Sequence, residues 1–579
     1  MRMRNVKGTR HSLRSSRQLS IIAQDPSVKV DDRIVRASID VPAEELLPGP
    51  RGYRVVVVDY DATANALYQP ASLSSGLEGE YADPFQEAPD EALLSDPRFH
   101  AQNVYAIAMR ILARFEFALG RRVQWGCEGH QLNILPHAFA EPNAFYSRDD
   151  RSLFFGYFES FPDKQDNTHT VFSCLSHDVI AHETTHAILD GLRSRYLEPS
   201  SPDQGAFHEG LADVVALLSI FALPDVVSAA LDGMAGGALI DQALLERDTL
   251  ANSVLFRLAD EMGQEMSGVR GCALRHSIKL SPGKNYLDDP EYQEVHKRGE
   301  LLVAAMLRSF LDIWISRLSR IGTIVNGQKD RSLVIEEGAR AADHLLTMAI
   351  RAIDYCPPID LSFSDYLSAL LTVDREVVPD DRYGYRDALL ENFKDFGIFP
   401  SKRAAADGTW LRCDDEMIYS RTHFDSMLRD NEEVFRFVWE NRRTLKIGDI
   451  GYIEVQSVRP SVRIAPDGFV LRETIAEYVQ VLTVTAGELR QDFNVDVPDG
   501  IKSWRPLRLL GGGTLIFDEY GQLKYQIANH LLKDRGDKKR QGDRLAYLWK
   551  QGLLDTKNDR TGDFSALHLA RSGVQERAG

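Results

Sequence analysis

Two histidines four residues apart, in His182-Glu183-Thr184-Thr185-His186, constrain this chain more than any other feature. On an α-helix residues i and i+4 share a face, so both imidazoles can reach one ion. A pentapeptide of this kind is weak evidence by itself. It gains force from Phe207-His208-Glu209-Gly210-Leu211-Ala212-Asp213, which places a carboxylate at Glu209 and a second one turn later at Asp213 among apolar residues. The fold must therefore bring a second helix against the first, so that Glu209 meets His182 and His186. Two His and one Glu leave a fourth position open, the donor set of a catalytic zinc ion. Glu183 projects beside the ligands, where a general base would act on water. Asp213 can accept the free N–H of His182 and so fix its tautomer. His208 either orients His186 or plays no part.

The flanking residues extend the pattern. The run Asp178-Val179-Ile180-Ala181-His182-Glu183-Thr184-Thr185-His186-Ala187-Ile188-Leu189-Asp190 resembles the zinc helix of the thermolysin-like metallopeptidases. Gly205 to Asp213 resembles their second zinc helix. Asn143-Ala144-Phe145-Tyr146 is similar to their Asn-Ala-Phe-Trp cleft segment. Leu274-Arg275 and Val295-His296 resemble two further site segments, and all five occur in the family's order. The resemblance covers residues 143–300, with weaker similarity toward residue 400.

It implies an α+β fold of two lobes, mixed α/β then helical, with one Zn2+ at their junction. It also implies a metalloendopeptidase that hydrolyses peptide bonds through zinc-activated water, with Glu183 as general base. His296 matches the family's oxyanion-stabilising His, and Tyr196 is a further phenolic donor. Arg275 would bind a substrate carbonyl. Asn143, Ala144 and Tyr146 would line the substrate cleft, and the strand 151–158 would pair with an extended peptide. Asp178 falls where the family has a calcium carboxylate. The family's other calcium carboxylates are not matched, so calcium has little support, and a helix N-cap is the equal alternative for Asp178. The aminopeptidase branch is disfavoured: no GxMEN-type segment is found, and the 22 residues between His186 and Glu209 exceed its usual gap.

Composition bounds the partners. A net charge of −17 argues against a general nucleic-acid binder, whose affinity rests on Lys and Arg neutralising phosphates. Five cysteines, an odd number without a CxxC pair, suit a reducing compartment. No apolar run is long enough to span a bilayer and no secretory signal is visible, so a cytoplasmic location is expected. Residues 1–20 hold six basic residues and no acid. They read as a disordered basic tail, with a transit peptide or a contact to an anionic surface as alternatives.

The chain divides into this tail, a β-rich and zinc-helix lobe over 21–215, a helical lobe over 216–400 and a C-terminal mixed α/β accessory domain over 401–579. Helices are expected over 98–119 and 299–318, with a last one ending at Gly397. The segment 76–95 reads as an exposed acidic loop. Ser401 to Gly408 has the composition of an exposed linker, so the catalytic unit is expected to separate there. Two rival readings accompany the peptidase. One is a silent scaffold that binds or regulates through residues 401–579. The other is a peptidase released by a partner, with 401–579 as the regulatory contact.

Overall fold

The computed structural model describes residues 16–555 except 31, 73–82, 128, 161–167, 233–236, 252–276, 278–279, 326 and 466–467. Over the described residues the protein is mixed α/β, 42% helical and 22% strand. Its first sheet runs in the order Thr170–Phe172, Ser152–Glu159, Leu132–Phe139, Val55–Val57, with Ala144–Ser147 paired to Ser152–Glu159. These strands are β3 (Val55–Val57), β4 (Leu132–Phe139), β5 (Ala144–Ser147), β6 (Ser152–Glu159) and β7 (Thr170–Phe172). A separate hairpin joins β1 (Ser16–Ile22) to β2 (Arg36–Pro42). Residues 16–20, expected in the basic tail, are strand, and residues 1–15 lie outside the described residues. Leu19, Ile21 and Ile22 are apolar and fully buried, so this end of the segment is strand.

Helix α1 (Pro97–Leu119) packs on the sheet. Pro97 opens it, the Asp96 side chain accepts from the Arg98 amide, and Gly120 closes it with a left-handed φ of 65°. Its predicted apolar stripe, Val104, Ile107, Ala108, Ile111, Leu112 and Phe115, is buried throughout. Of the expected acidic loop 76–95, residues 76–82 lie outside the described residues and Asp90–Ser95 is helical.

The motif helices are α2 (His177–Leu192) and α3 (Pro202–Phe221). α3 begins at Pro202, with Ser201 accepting from the Gln204 amide at 3.2 Å. It is apolar nearly all round because core surrounds it: Phe207, Leu211, Val214, Val215 and Leu218 are at most 1% exposed. Helices α4 (Val295–Ser319), α5 (Arg331–Ala352), α6 (Phe363–Val377) and α7 (Tyr385–Lys394) also belong to this part. α3 and α4 cross where Gly210 meets Gly299. A Cβ on Gly210 would lie 2.9 Å from the Gly299 carbonyl oxygen, so the approach requires glycine. This crossing brings Glu209 alongside His296. Among the described residues no single helix is long and apolar enough to cross a membrane.

The C-terminal part is an antiparallel meander of β8 (Tyr452–Ile464), β9 (Val470–Thr485), β10 (Pro506–Phe517) and β11 (Leu523–Asn529), followed by helix α8 (Arg535–Lys550). It has small cores of its own, but Trp410, Ile516, Tyr525 and Ile527 belong to the main core. Residues 401–408 are not a free tether. The Ser401 amide donates to Ser368 Oγ at 2.9 Å, and Arg403 Nη2 to Asp365 Oδ1 at 2.7 Å. Just beyond, Trp410 Nε1 donates to the Tyr355 carbonyl at 2.9 Å. The polar composition that suggested a linker is used for bonds to the helices.

Charge binds the two parts further. Arg463 is fully buried and bridges Asp354 and Glu473, reaching Glu473 at 2.7 Å. Arg121 meets the same Asp354 at 2.6 Å. These guanidinium groups outweigh burial and hold the Asp354 carboxyl well below the usual carboxylate range. At the end of α2, Arg193 pairs with Glu477 at 2.5 Å.

Candidate metal centre

α2 presents His182 and His186 one turn apart, with their Nε2 atoms 2.7 Å from each other. Across from them, on α3, Glu209 Oε2 lies 3.4 Å from His182 Nε2, and Oε1 lies 3.9 Å from His186 Nε2. The three side chains are buried, and one ligand atom from each lies within 4.8 Å of the others. A tetrahedral ion with bonds of about 2.0–2.1 Å would hold two nitrogens about 3.3 Å apart. The rings need spread by only about half an ångström to accept one. The donor set therefore fits a metal ion.

The outer ring nitrogens are also committed. His182 Nδ1 lies 2.7 Å from Asp213 Oδ1. An ionised carboxylate only accepts, so Nδ1 carries the proton and the Nε2 lone pair faces Glu209. His186 Nδ1 lies 2.8 Å from His208 Nδ1. For His186 to offer Nε2 to an ion, its Nδ1 donates to His208, whose own proton then sits on Nε2. His208 lies within hydrogen-bond distance of His186, and their rings stack 4.8 Å apart.

His296, in the first turn of α4, turns Nε2 toward Glu209 Oε2 at 3.7 Å. Glu294 accepts from its Nδ1 at 2.6 Å and also caps α4 through the Lys297 amide at 2.9 Å. Burial opposes ionisation of Glu294. The bond from His296, its charge and the backbone amides win, and the carboxyl sits at about 2. Sequence reasoning missed Glu294, although an acid directly before a helix that opens Val295-His296 is a legible N-cap signal. Glu183 follows His182 on α2 and is 1% exposed.

The other expected site residues make contacts of their own. Tyr196 is not at the centre: it is buried, and its hydroxyl donates to the Pro357 carbonyl at 2.7 Å. Its position after α2 is fixed by packing on Phe207, which spacing from His186 did not reveal. Tyr146 holds β5 to α2, donating to Asp190 Oδ2 at 2.9 Å, so its hydroxyl is already committed. Ala144 opens β5 and Asn143 precedes it; the Asn143 side-chain oxygen accepts from the Ala144 amide at 2.9 Å. β6 cannot take an added strand over 152–155, because β4 and β5 already flank it there. The edge belongs to β5. Asp178 lies in the first turn of α2, where Ser176 is the N-cap residue, so the capping reading of Asp178 falls. There its charge complements the helix dipole. Arg275 lies outside the described residues.

No family model and no curated protein matches this chain. Fold and site define it by themselves: a mixed α/β protein with a buried His/His/Glu group able to hold a metal ion.

Proposed function

We propose that this chain is a zinc-dependent metalloendopeptidase with a two-lobed thermolysin-like core. The observation that carries the reading is the convergence of His182, His186 and Glu209 from two helices, with Glu183 on the first and His296 Nε2 turned toward Glu209. Zinc, when bound by these three side chains, supplies a Lewis acid that polarises a carbonyl and acidifies water. The protein's own residues do the rest. Glu183 takes a proton from water and passes it to the leaving amine, help worth about 10²–10⁴-fold. His296, as an imidazolium held by Glu294 at Nδ1, donates its Nε2–H to the oxygen that gains charge as the carbonyl becomes tetrahedral. Asp213 and His208 keep both imidazoles in the tautomer that offers Nε2. An extended peptide adds to the β5 edge beside Ala144 by backbone hydrogen bonds.

The C-terminal sheet takes no part in this chemistry and acts on it through position, since Glu477 grips Arg193 at the end of α2. The test joins metal analysis to a peptide-library cleavage assay. His182→Ala and Glu209→Ala should lose the zinc of this centre. Glu183→Gln should keep zinc and lose hydrolysis. Wild-type activity in Glu183→Gln, or zinc retained in full by His182→Ala, would sink the reading.

A further inference from the structure

A second group of ligand-type side chains lies apart from the centre described above. His100 on α1, His137 on β4 and Cys174 on the short turn Ser173–Leu175 come from three different elements. Their ligand atoms lie within 4.8 Å of one another. All three residues are at most 7% exposed.

Hydrogen bonds assign the protons. His100 Nε2 lies 3.0 Å from the Leu94 carbonyl oxygen. A carbonyl only accepts, so Nε2 carries hydrogen and Nδ1 keeps its lone pair. His137 Nδ1 lies 2.8 Å from Asp59 Oδ1. The carboxylate accepts, so Nδ1 carries hydrogen and Nε2 keeps its lone pair. Those two lone pairs then face each other across 2.8 Å. Two bare lone pairs repel at that distance unless an electrophile, a proton or a metal ion, lies between them. Cys174 favours the metal. A shared proton needs no third donor, whereas a sulfur near both nitrogens completes a donor set. The sulfur's backbone is pinned as well: Ser173 Oγ donates to the Gly156 carbonyl at 2.8 Å, and Asn103 Nδ2 to the Cys174 carbonyl at 3.1 Å. The Phe172 ring covers both imidazoles, with centroids 4.8 and 5.3 Å away.

We propose that His100 Nδ1, His137 Nε2 and Cys174 Sγ form a second metal site that takes a borderline-soft divalent cation of the zinc class. Imidazole and thiolate together suit that ion, and Asp59 on the outer N–H of His137 is the carboxylate–histidine pairing that such sites use. Cys174 releases its thiol proton to solvent as the ion binds. The nitrogen pair has the same spacing problem as His182 and His186, and the same small spread of about half an ångström admits an ion. The site is structural. It ties α1 and β4 to the segment that enters α2, eight residues before His182, and it stands whether or not the chain is a peptidase.

Cobalt(II) loading of the metal-stripped full chain tests this. The first centre offers only nitrogen and oxygen, so a thiolate-to-cobalt charge-transfer band reports the second site alone. Two cobalt ions per chain and that band are expected. The band should persist in His182→Ala and vanish in Cys174→Ala, which should keep one ion. Alanine at each of the other four cysteines should leave the band unchanged. A wild type that binds one ion without the band overturns the proposal, and so does a band lost with a cysteine other than Cys174. These readings decide the matter even where Cys174→Ala does not fold.

Discussion

Glu294 aims His296. Its carboxylate lies 2.6 Å from His296 Nδ1, and the opposite ring nitrogen then faces Glu209 at 3.7 Å. One acidic side chain both caps α4 and sets the direction of the proposed oxyanion donor.

Removing that support should cost turnover before it costs metal. Glu294→Ala is expected to lower kcat for peptide cleavage by about 10–100-fold, the scale for a lost supporting contact, with zinc content unchanged. His296→Ala should lower kcat by about 10²–10³-fold with a smaller change in KM. Parallel loss of zinc in Glu294→Ala would show that its role is structural.

The same carboxyl gives a pH signature. Its folded pKa of about 2 lies below the ordinary 4.5. A lowered pKa adds stability that is fully present above the unfolded value and is lost as pH falls toward the folded one. Urea melts of wild type and Glu294→Gln should therefore differ near neutrality. The gap should close as pH falls from 4.5 toward 2. A gap that does not change with pH contradicts the assignment.

Asp213 is expected to act on affinity. Asp213→Ala frees the His182 ring to rotate and lets its proton move, which should weaken zinc binding by about 10–100-fold. Competition with a chromophoric chelator measures this directly. Unchanged affinity would mean that α2 alone orients His182.

The helix crossing has its own test. Gly210→Ala would push a methyl group against the Gly299 carbonyl, and overpacking of this kind costs about 1–3 kcal/mol. Its Tm should fall and its zinc affinity with it, because Glu209 is the adjacent residue. Gly322 faces open space, so Gly322→Ala serves as a control that should leave both unchanged.

The C-terminal sheet should prove inseparable. Arg463→Met removes the guanidinium that joins Asp354 to Glu473, leaving Arg121 on Asp354 and Lys524 on Glu473, and breaking a buried pair costs about 3–5 kcal/mol. Chain truncated after residue 400 should fail to fold, as judged by circular dichroism and proteolysis. A stable, zinc-loaded fragment would restore the seam that composition suggests.

The sequence by itself determined the local facts. Residues i and i+4 on a helix share a face, so His182 and His186 had to point together, and one turn had to separate Glu209 from Asp213. The helices over 98–119 and 299–318 followed from periodicity that local geometry enforces. What only the tertiary structure decided is which side chains meet across long separations. Tyr196 sits at a promising spacing, yet packing against Phe207 turned its hydroxyl to Pro357. Ser401 to Gly408 has linker composition, yet Arg403 and the neighbouring Trp410 lock it to the helices. Asp354 and Arg463 stand 109 residues apart and meet in the core, and His100, His137 and Cys174 come from three elements. Such encounters have no period along the chain. They arise when buried polar groups far apart in sequence find the partners that burial demands, and only the folded molecule shows which.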